Sequence, residues 1–228
     1  MKVTAIVLAA GSGKRMNSKV HKQYLLINEK PVLYYSLKAF EESSVDEIVL
    51  VVGADEIEYC KKEIVELFGF TKVCAIVEGG KERYNSVYEG LKAAGETDYV
   101  LIHDGARPFL TQDIIERTII SVAQYGACVV GMPVKDTIKI VDDETFAKET
   151  PDRTKVWQVQ TPQAFSYELV YDAYTRMLAG DDTGITDDAM VVERMTDYKV
   201  KLIEGSYRNI KITTPEDLLV AEVYLKNI

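Results

Sequence analysis

Cysteine is scarce in this chain of 228 residues: there are three, Cys60, Cys74 and Cys128. They are odd in number, far apart and without C-x-x-C spacing, so neither a disulfide framework nor a zinc site is indicated. Reduced, mostly buried thiols in a cytoplasmic protein are the expectation. Histidine is scarcer still, with His21 and His103 alone. No second histidine or cysteine stands at metal spacing from His103, and a satisfied structural role is expected for it. No apolar run approaches the ~20 residues that span a bilayer, so no membrane partner is expected. Positive charge is in deficit, 27 Lys and Arg against 36 Asp and Glu, for a net charge of -9. That balance repels a polynucleotide backbone and argues against a nucleic-acid partner. A G-x-S-x-G nucleophile elbow, an internal repeat and a Gly/Ser-rich linker are also missing. Asp187-Asp188 is the one hint of paired carboxylates. Adjacent residues point different ways on a helix, so these read as charges at a helix start.

What is present is a globular composition, 47% hydrophobic over a length ample for a core. Met1-Lys2 before an apolar run resembles the start of a signal peptide. The run is short and ends in charge rather than in a small-residue cleavage site, so a buried strand is the better account. From there strand and helix alternate. Strands are expected at 3–9, 47–53, 72–77, 99–103 and 127–132, and helices at 31–42, 55–68, 81–94 and 111–125, the last capped by Thr111. This alternation predicts an α/β fold: a mainly parallel twisted sheet with helices on both faces. After Met132 the pattern loosens. Ile138, Ile140 and Val141 alternate with polar residues before the turn Asp142-Asp143-Glu144, which predicts a hairpin or extended arm with a return strand near 155–159. Helices at 166–178 and 187–195, a strand at 199–203 and a final helix at 215–227, capped by Thr214, complete the reading. The whole, 1–228, is expected to be one domain with an arm inserted at about 134–158.

The stretch that stands out is Ala9-Ala10-Gly11-Ser12-Gly13-Lys14-Arg15-Met16, with Lys22 shortly after. Gly11 and Gly13 allow a tight turn and close backbone approach, and Lys14, Arg15 and Lys22 add positive charge against the global sign. Such a turn suits a polyphosphate, although a Gly-Ser-Gly turn also serves as plain punctuation. It spells neither the Walker A loop nor the dinucleotide fingerprint, because Met16 stands at the third small position. Ligands bind such sheets at the carboxyl ends of the strands. Three further groups fall there: Gly79-Gly80 followed by Arg83 and Ser86, Asp104 within His103-Asp104-Gly105-Ala106-Arg107, and Lys211 before the last helix. Asp104 reads either as a Mg²⁺ holder, directly or through water, or as a turn or helix cap. Lys211 taken alone reads as a surface charge.

Taken together, Leu-Ala-Ala-Gly-x-Gly-x-Arg-Met, Lys-Gln-Tyr, Gly-Gly-x-x-Arg-x-x-Ser-Val, His-Asp-Gly-Ala-Arg-Pro, Asp-Thr-Ile-Lys, Gln-Thr-Pro-Gln-x-Phe, Thr-Asp-Asp-Ala and Asn-Ile-Lys-Ile-Thr resemble the 2-C-methyl-D-erythritol 4-phosphate cytidylyltransferase family. The resemblance runs from about Val3 to the C-terminus. It implies a Rossmann-like, GT-A-like nucleotidyltransferase fold with a β-arm for dimerisation. The implied partners are CTP and a sugar-alcohol phosphate, the implied cofactor is Mg²⁺ or another divalent cation, and the implied assembly is a homodimer with sites shared across the arms. By resemblance, Arg15 and Lys22 match the stabilisers of the triphosphate transition state, and Arg153 matches the arm arginine that grips the sugar phosphate across the dimer. Lys211 matches the lysine that positions that phosphate. Thr137, Thr186, Asp104 and Arg107 match substrate-side positions, and Gly80, Arg83 and Ser86 the cytosine side. The glycine loop, Ala9 to Gly13, and Asp104 with Gly105 match nucleotide-binding positions. Lys14 gains no role. His21 stands where the family often has proline, and Gly105 where alanine is common. Two other readings remain: a ribitol 5-phosphate cytidylyltransferase, whose loop more usually reads Leu-Ala-Gly-Gly, and a nucleotide-binding module that has lost activity.

Overall fold

The computed structural model describes residues 1–11, 16, 21–180 and 184–226. The strands are β1 (Val3–Ala9), β2 (Leu26–Ile27), β3 (Lys30–Pro31), β4 (Glu47–Val52), β5 (Val73–Glu78), β6 (Tyr99–Asp104), β7 (Ala127–Pro133), β8 (Ile140–Val141), β9 (Ala147–Glu149), β10 (Trp157–Ser166) and β11 (Lys201–Glu204). The helices are α1 (Val32–Glu41), α2 (Ile57–Tyr59), α3 (Arg83–Ala93), α4 (Gln112–Tyr125), α5 (Tyr167–Ala179), α6 (Asp188–Met195) and α7 (Pro215–Leu225). Seven strands form the central sheet in the order β11-β7-β10-β6-β1-β4-β5. Six run in one direction. Only β10 is antiparallel to its neighbours, β6 and β7.

Period-2 alternation divides the sheet side chains between two cores. On one face Val3, Ala5 and Val7 of β1, Ile48 and Leu50 of β4 and Leu101 of β6 pack with Leu33, Leu37 and Phe40 of α1 and Ile115 of α4. On the other face Ile6, Val49, Val51, Val100 and Ile102 meet Val87 and Leu91 of α3, Val170 and Tyr174 of α5 and Val192 of α6. The expected helices on both faces are therefore present. A smaller cluster joins Met16, Ile27, Val32, Phe109, Ile212 and Ala221, which ties α7 to the far end of the glycine loop.

The caps follow the sequence signals. Thr111 Oγ1 accepts the Ile114 N–H at the start of α4, and Thr214 with Asp217 forms a capping box at α7. The helical stretch expected at 55–68 is interrupted: α2 gives way to a π-helix over Cys60–Glu66. Residues 26–31 form a short β2–β3 hairpin that periodicity does not announce, since each strand is two residues long.

The main difference from expectation is β10. The alternation predicts a return strand near 155–159, yet the strand continues to Ser166 through the centre of the sheet. Pro162 conceals it. Proline lacks an N–H and is tolerated within a sheet chiefly at a bulge, and the register between β10 and β7 shifts between Val159 and Gln163. The arm expected at about 134–158 contains the β8–β9 hairpin, Ile140 pairing with Glu149 and Val141 with Ala147, all exposed.

Gly90 marks where α3 lies closest to the sheet. A Cβ there would collide with Ile6 Cγ2 and come within 3.0 Å of Val51 Cγ2. Alanine favours a helix interior by about 1 kcal/mol, but overpacking a buried helix–sheet contact costs about 1–3 kcal/mol. Gly90→Ala is expected to lower the urea midpoint at unchanged m-value, and an unchanged or higher midpoint contradicts this packing.

Candidate active site at the carboxyl ends of the parallel strands

β1, β4, β5 and β6 are parallel, so their carboxyl ends share one edge of the sheet. A cleft of about 430 Å³ opens there. Ala9, Ala10 and Gly11 line it from the end of β1, Gly80, Arg83 and Ser86 from the turn into α3, Asp104 from β6, and Lys22 and Lys211 from two other segments. A second cavity of about 280 Å³ shares Arg83, Asp104 and Lys211 with the first and adds Arg107 and Thr186.

Asp104 stands on the shared wall. Its Oδ2 lies 2.9 Å from Lys211 Nζ and 3.6 Å from Arg107 Nε, and its Oδ1 accepts from Arg83 Nε at 3.3 Å. Only 7% of the residue is exposed. Burial by itself raises a carboxyl pKa, but Arg83, Lys211 and Arg107 outweigh it and hold Asp104 well below the ordinary carboxylate value. The carboxylate is therefore charged, and it gathers three cations where two cavities meet. A fourth cation, Lys22, lines the first cavity.

Two of the three partners are fixed from behind. Arg83 makes a two-pronged pair with Asp188, Nη1 to Oδ1 at 2.7 Å and Nη2 to Oδ2 at 2.8 Å. Asp188 Oδ1 also accepts the Tyr174 hydroxyl at 2.5 Å. Asp188 is thus a fully buried strut rather than a solvated helix-start charge; only Asp187 caps α6, accepting the Met190 N–H. Arg107 Nη1 donates to Asn209 O at 2.8 Å, while its Nε is a buried donor without a hydrogen-bond acceptor among the described residues. His103 takes the structural role expected of it. Its Nε2 donates to Arg107 O at 3.3 Å and its Nδ1 accepts the Thr161 hydroxyl at 2.9 Å. Thr161 Oγ1 in turn accepts the Asp104 N–H at 3.1 Å. The β10 bulge and the end of β6 are thereby joined around a neutral imidazole.

The remaining sequence-derived candidates divide clearly. Gly105 donates its N–H to Leu8 O at 2.9 Å, within the strand framework rather than toward the cleft. The Gly80 N–H is held by Ser86 Oγ at 3.1 Å. Thr137 and Arg153 are exposed in the arm segment and line neither cavity; Arg153 Nη1 donates to Lys135 O. Ser12, Gly13, Lys14 and Arg15 lie outside the described residues. Among the described residues, no group of three His, Cys, Asp or Glu could hold a metal ion. With Asp104 already committed to three cations, these residues do not fit a divalent ion held by the protein alone. Gln23 and Thr161 carry no individual signal in the sequence, and Asp188 reads there as a helix-start charge. Each sits inside a motif used for the resemblance, which was the available signal.

The model of the IspD family, described as 2-C-methyl-D-erythritol 4-phosphate cytidylyltransferase, matches residues 3–227. The chain belongs to this family. It is 54% identical over 225 residues to the IspD relative of that description from Lachnoclostridium phytofermentans, covering 99% of this chain and 97% of the other. A relative of the same description from Alkaliphilus oremlandii is 53% identical over 227 residues, covering 99% and 95%. Among solved structures, the 4-diphosphocytidyl-2C-methyl-D-erythritol synthase of Anaerococcus prevotii superposes with a TM-score of 0.87 at 38% identity, covering 99% of this chain and 96% of that one. The IspD fold is thus present over the whole chain, and no helix among the described residues is long and apolar enough to cross a membrane.

Burial, opposed by Asp104 and reinforced by Arg107, lowers the His103 pKa from 6.5 to about 4. The unfolded chain therefore takes up a proton in this window that the folded chain does not. Stability from this group is complete above about pH 6.5 and is lost toward pH 4, by about 3 kcal/mol. Urea unfolding between pH 7 and pH 4.5 is expected to show this decline, and His103→Gln to flatten it; an equal slope in the variant contradicts the assignment.

Proposed function

We propose that this IspD protein transfers the cytidylyl group of CTP to 2-C-methyl-D-erythritol 4-phosphate, giving 4-diphosphocytidyl-2-C-methyl-D-erythritol and diphosphate. The observation that carries the reading is the Asp104 cluster on the wall between two cavities, one bordered by the glycine loop and the other by Arg107 and Thr186. Two polyanions must meet for this reaction, and a row of cations along their common boundary suits that need.

In the proposed chemistry an oxygen of the sugar phosphate attacks the α-phosphorus of CTP. The new P–O bond forms as the bridging P–O bond to the β-phosphate breaks, and diphosphate leaves with the bonding pair. The nucleophile is already anionic, so no general base is required. The difficulty is repulsion between like charges and negative charge building on the transferring group. Lys22 from the nucleotide side and Lys211 at the boundary meet that charge, with Arg15 assigned to the triphosphate by resemblance. Asp104 keeps the Lys211 ammonium and the Arg83 guanidinium directed inward, which lowers the reorganisation needed as charge develops. Arg107 and Thr186 border the sugar-phosphate side, and Gly80 and Ser86 the cytosine side. A divalent cation brought in with CTP would be held by the substrate phosphates and water rather than by a protein cage, and would supply further neutralisation of the triphosphate charge.

Arg153 and Thr137 complete the site from the arm of a second copy. Support comes from their position outside both cavities of this chain and from the exposed apolar residues of the same hairpin, Ile140 at 45%, Val141 at 49% and Phe146 at 68%. Residues 1–228 act as one nucleotidyltransferase domain with the arm at about 134–158, working in the cytoplasm as a homodimer.

Lys22→Ala and Lys211→Ala are each expected to cut kcat by about 10²–10³, by analogy with loss of one charge-stabilising donor. Diphosphate release with methylerythritol phosphate and ribitol 5-phosphate side by side reads both rate and acceptor. A folded Lys22→Ala protein with the parent kcat refutes the role given to Lys22, and preference for ribitol phosphate refutes the acceptor. For the dimer, sedimentation equilibrium at micromolar concentration should give twice the chain mass. Ile140→Asp with Phe146→Asp should give a monomer with little turnover, whereas a fully active monomer excludes a shared site.

A further inference from the structure

Ahead of α1, Lys22–Tyr24 form a 3₁₀ turn, with His21 and Leu25 extended on either side. A single carboxylate braces both ends of this turn. Glu56 Oε1 accepts from His21 Nδ1 at 2.6 Å, and Glu56 Oε2 accepts the Tyr24 hydroxyl at 2.9 Å. The same Oε2 accepts the Gly53 N–H at 2.9 Å, which ties the carboxylate to the residue after β4. Residue 53 permits this because it lacks a side chain: a Cβ there would stand 2.6 Å from Oε2. Glu56 is anchored in its own backbone as well, its carbonyl accepting the Cys60 N–H where the π-helix begins. Only 16% of its side chain is exposed.

The residues between the two braced ends are Lys22 and Gln23. Gln23 Nε2 donates to Ala9 O, at the last residue of β1, so the middle of the turn is fixed to the floor of the cleft. Gln23 is 1% exposed and its Oε1 has no partner among the described residues. Lys22 lines the cleft itself. The turn thus has three attachments, to β1, to the end of β4 and to the start of the π-helix, and the cation it carries points at the cavity bordered by the glycine loop. None of these attachments touches the reacting groups.

A lysine side chain has four rotatable bonds and a strongly hydrated head. Fixing its backbone restricts where the ammonium can reach, and displacements near 1 Å at a phosphoryl-transfer site cost up to about 10²-fold in rate. We infer that Glu56 is a positioning residue for this reaction, holding the 3₁₀ turn so that the Lys22 ammonium meets the triphosphate. The inference deepens the reading of the cleft as a CTP site and rests on it. The hydrogen bond from His21 to Glu56 adds a contact restraint where the chain enters the turn.

The test is a double-mutant cycle on kcat in the full-length protein, with folding followed by thermal unfolding. Glu56→Gln keeps the side-chain size and removes the charge that three donors share. It is expected to lower kcat roughly tenfold with little change in the KM for methylerythritol phosphate, and to have no further effect once Lys22 is alanine. Tyr24→Phe removes one of the three bonds and is expected to act in the same direction more weakly, again only while Lys22 is present. A Glu56→Gln protein with the parent kcat overturns the inference, as does a loss that multiplies in full with that of Lys22→Ala, which marks a brace of general stability. Should Glu56→Gln fail to fold, the Tyr24→Phe arm of the cycle decides by the same criteria. Lys22→Ala at the parent kcat overturns the role given to Lys22 and this inference with it, while an impaired Lys22→Ala beside an unimpaired Glu56→Gln overturns only the inference.

Discussion

A buried carboxylate with more cations than it can neutralise is the constraint around which this molecule is arranged. Asp104 carries one negative charge and faces Arg83, Arg107 and Lys211. Such a group is costly to bury alone and costly to leave half-paired. The surrounding structure answers with successive supports: Asp188 and Tyr174 behind Arg83, the Asn209 carbonyl behind Arg107, and the Thr161 hydroxyl on the Asp104 N–H. The surplus of positive charge is the functional product. With Asp104 and Asp188 set against Arg83, Arg107 and Lys211, the cluster keeps one more positive charge than negative and is open on two sides, which suits an anion.

The supports explain why the two halves of the chain are interdependent. β6 delivers Asp104, yet the residues that fix it and its partners come from α3, from β10, from the first residue of α6 and from the segment before α7. Arg83 and Asp188 are 105 positions apart in the chain but share two hydrogen bonds. Substituting Arg83 or Asp188 leaves the other a buried group without its counter-charge, so the site and the fold share a single set of contacts.

Much of the architecture is readable from pattern. The β-branched runs at β1 and β4, the spacing of α1 and α4 and the Thr111 and Thr214 caps are local signals, and local structure follows them. β10 escapes because its decisive features are not local. Gln160, Thr161 and Gln163 are polar residues buried in the middle of a sheet, acceptable only because His103, Asn209 and Asp187 lie beside them to complete their hydrogen bonds. The same limit applies to the site. Strand-end glycines and basic residues mark the cleft in the sequence, whereas the Arg83–Asp188 pair appears only when helices remote in the chain are brought together. The π-helical stretch after α2 likewise reads as an ordinary amphipathic helix until its hydrogen bonds are seen.

The position of β10 also sets an order of assembly. Its partners are β6 and β7, and Ile102 pairs with Gln163 across the whole of α4, β7 and the arm. β5, β4, β1 and β6 can zip together as soon as residue 104 has been made, from pairings between segments close in the chain. The seam between that block and β7 stays open until residue 166 exists, and closing it requires a long loop to be drawn in. For that interval the β6 edge, buried in the finished protein, is an unpaired strand whose last residue, Asp104, still lacks the Thr161 hydroxyl on its N–H. β10 therefore seals the wall on which the cation cluster stands, and Asp188 and Lys211, which complete that cluster, come from still later in the chain.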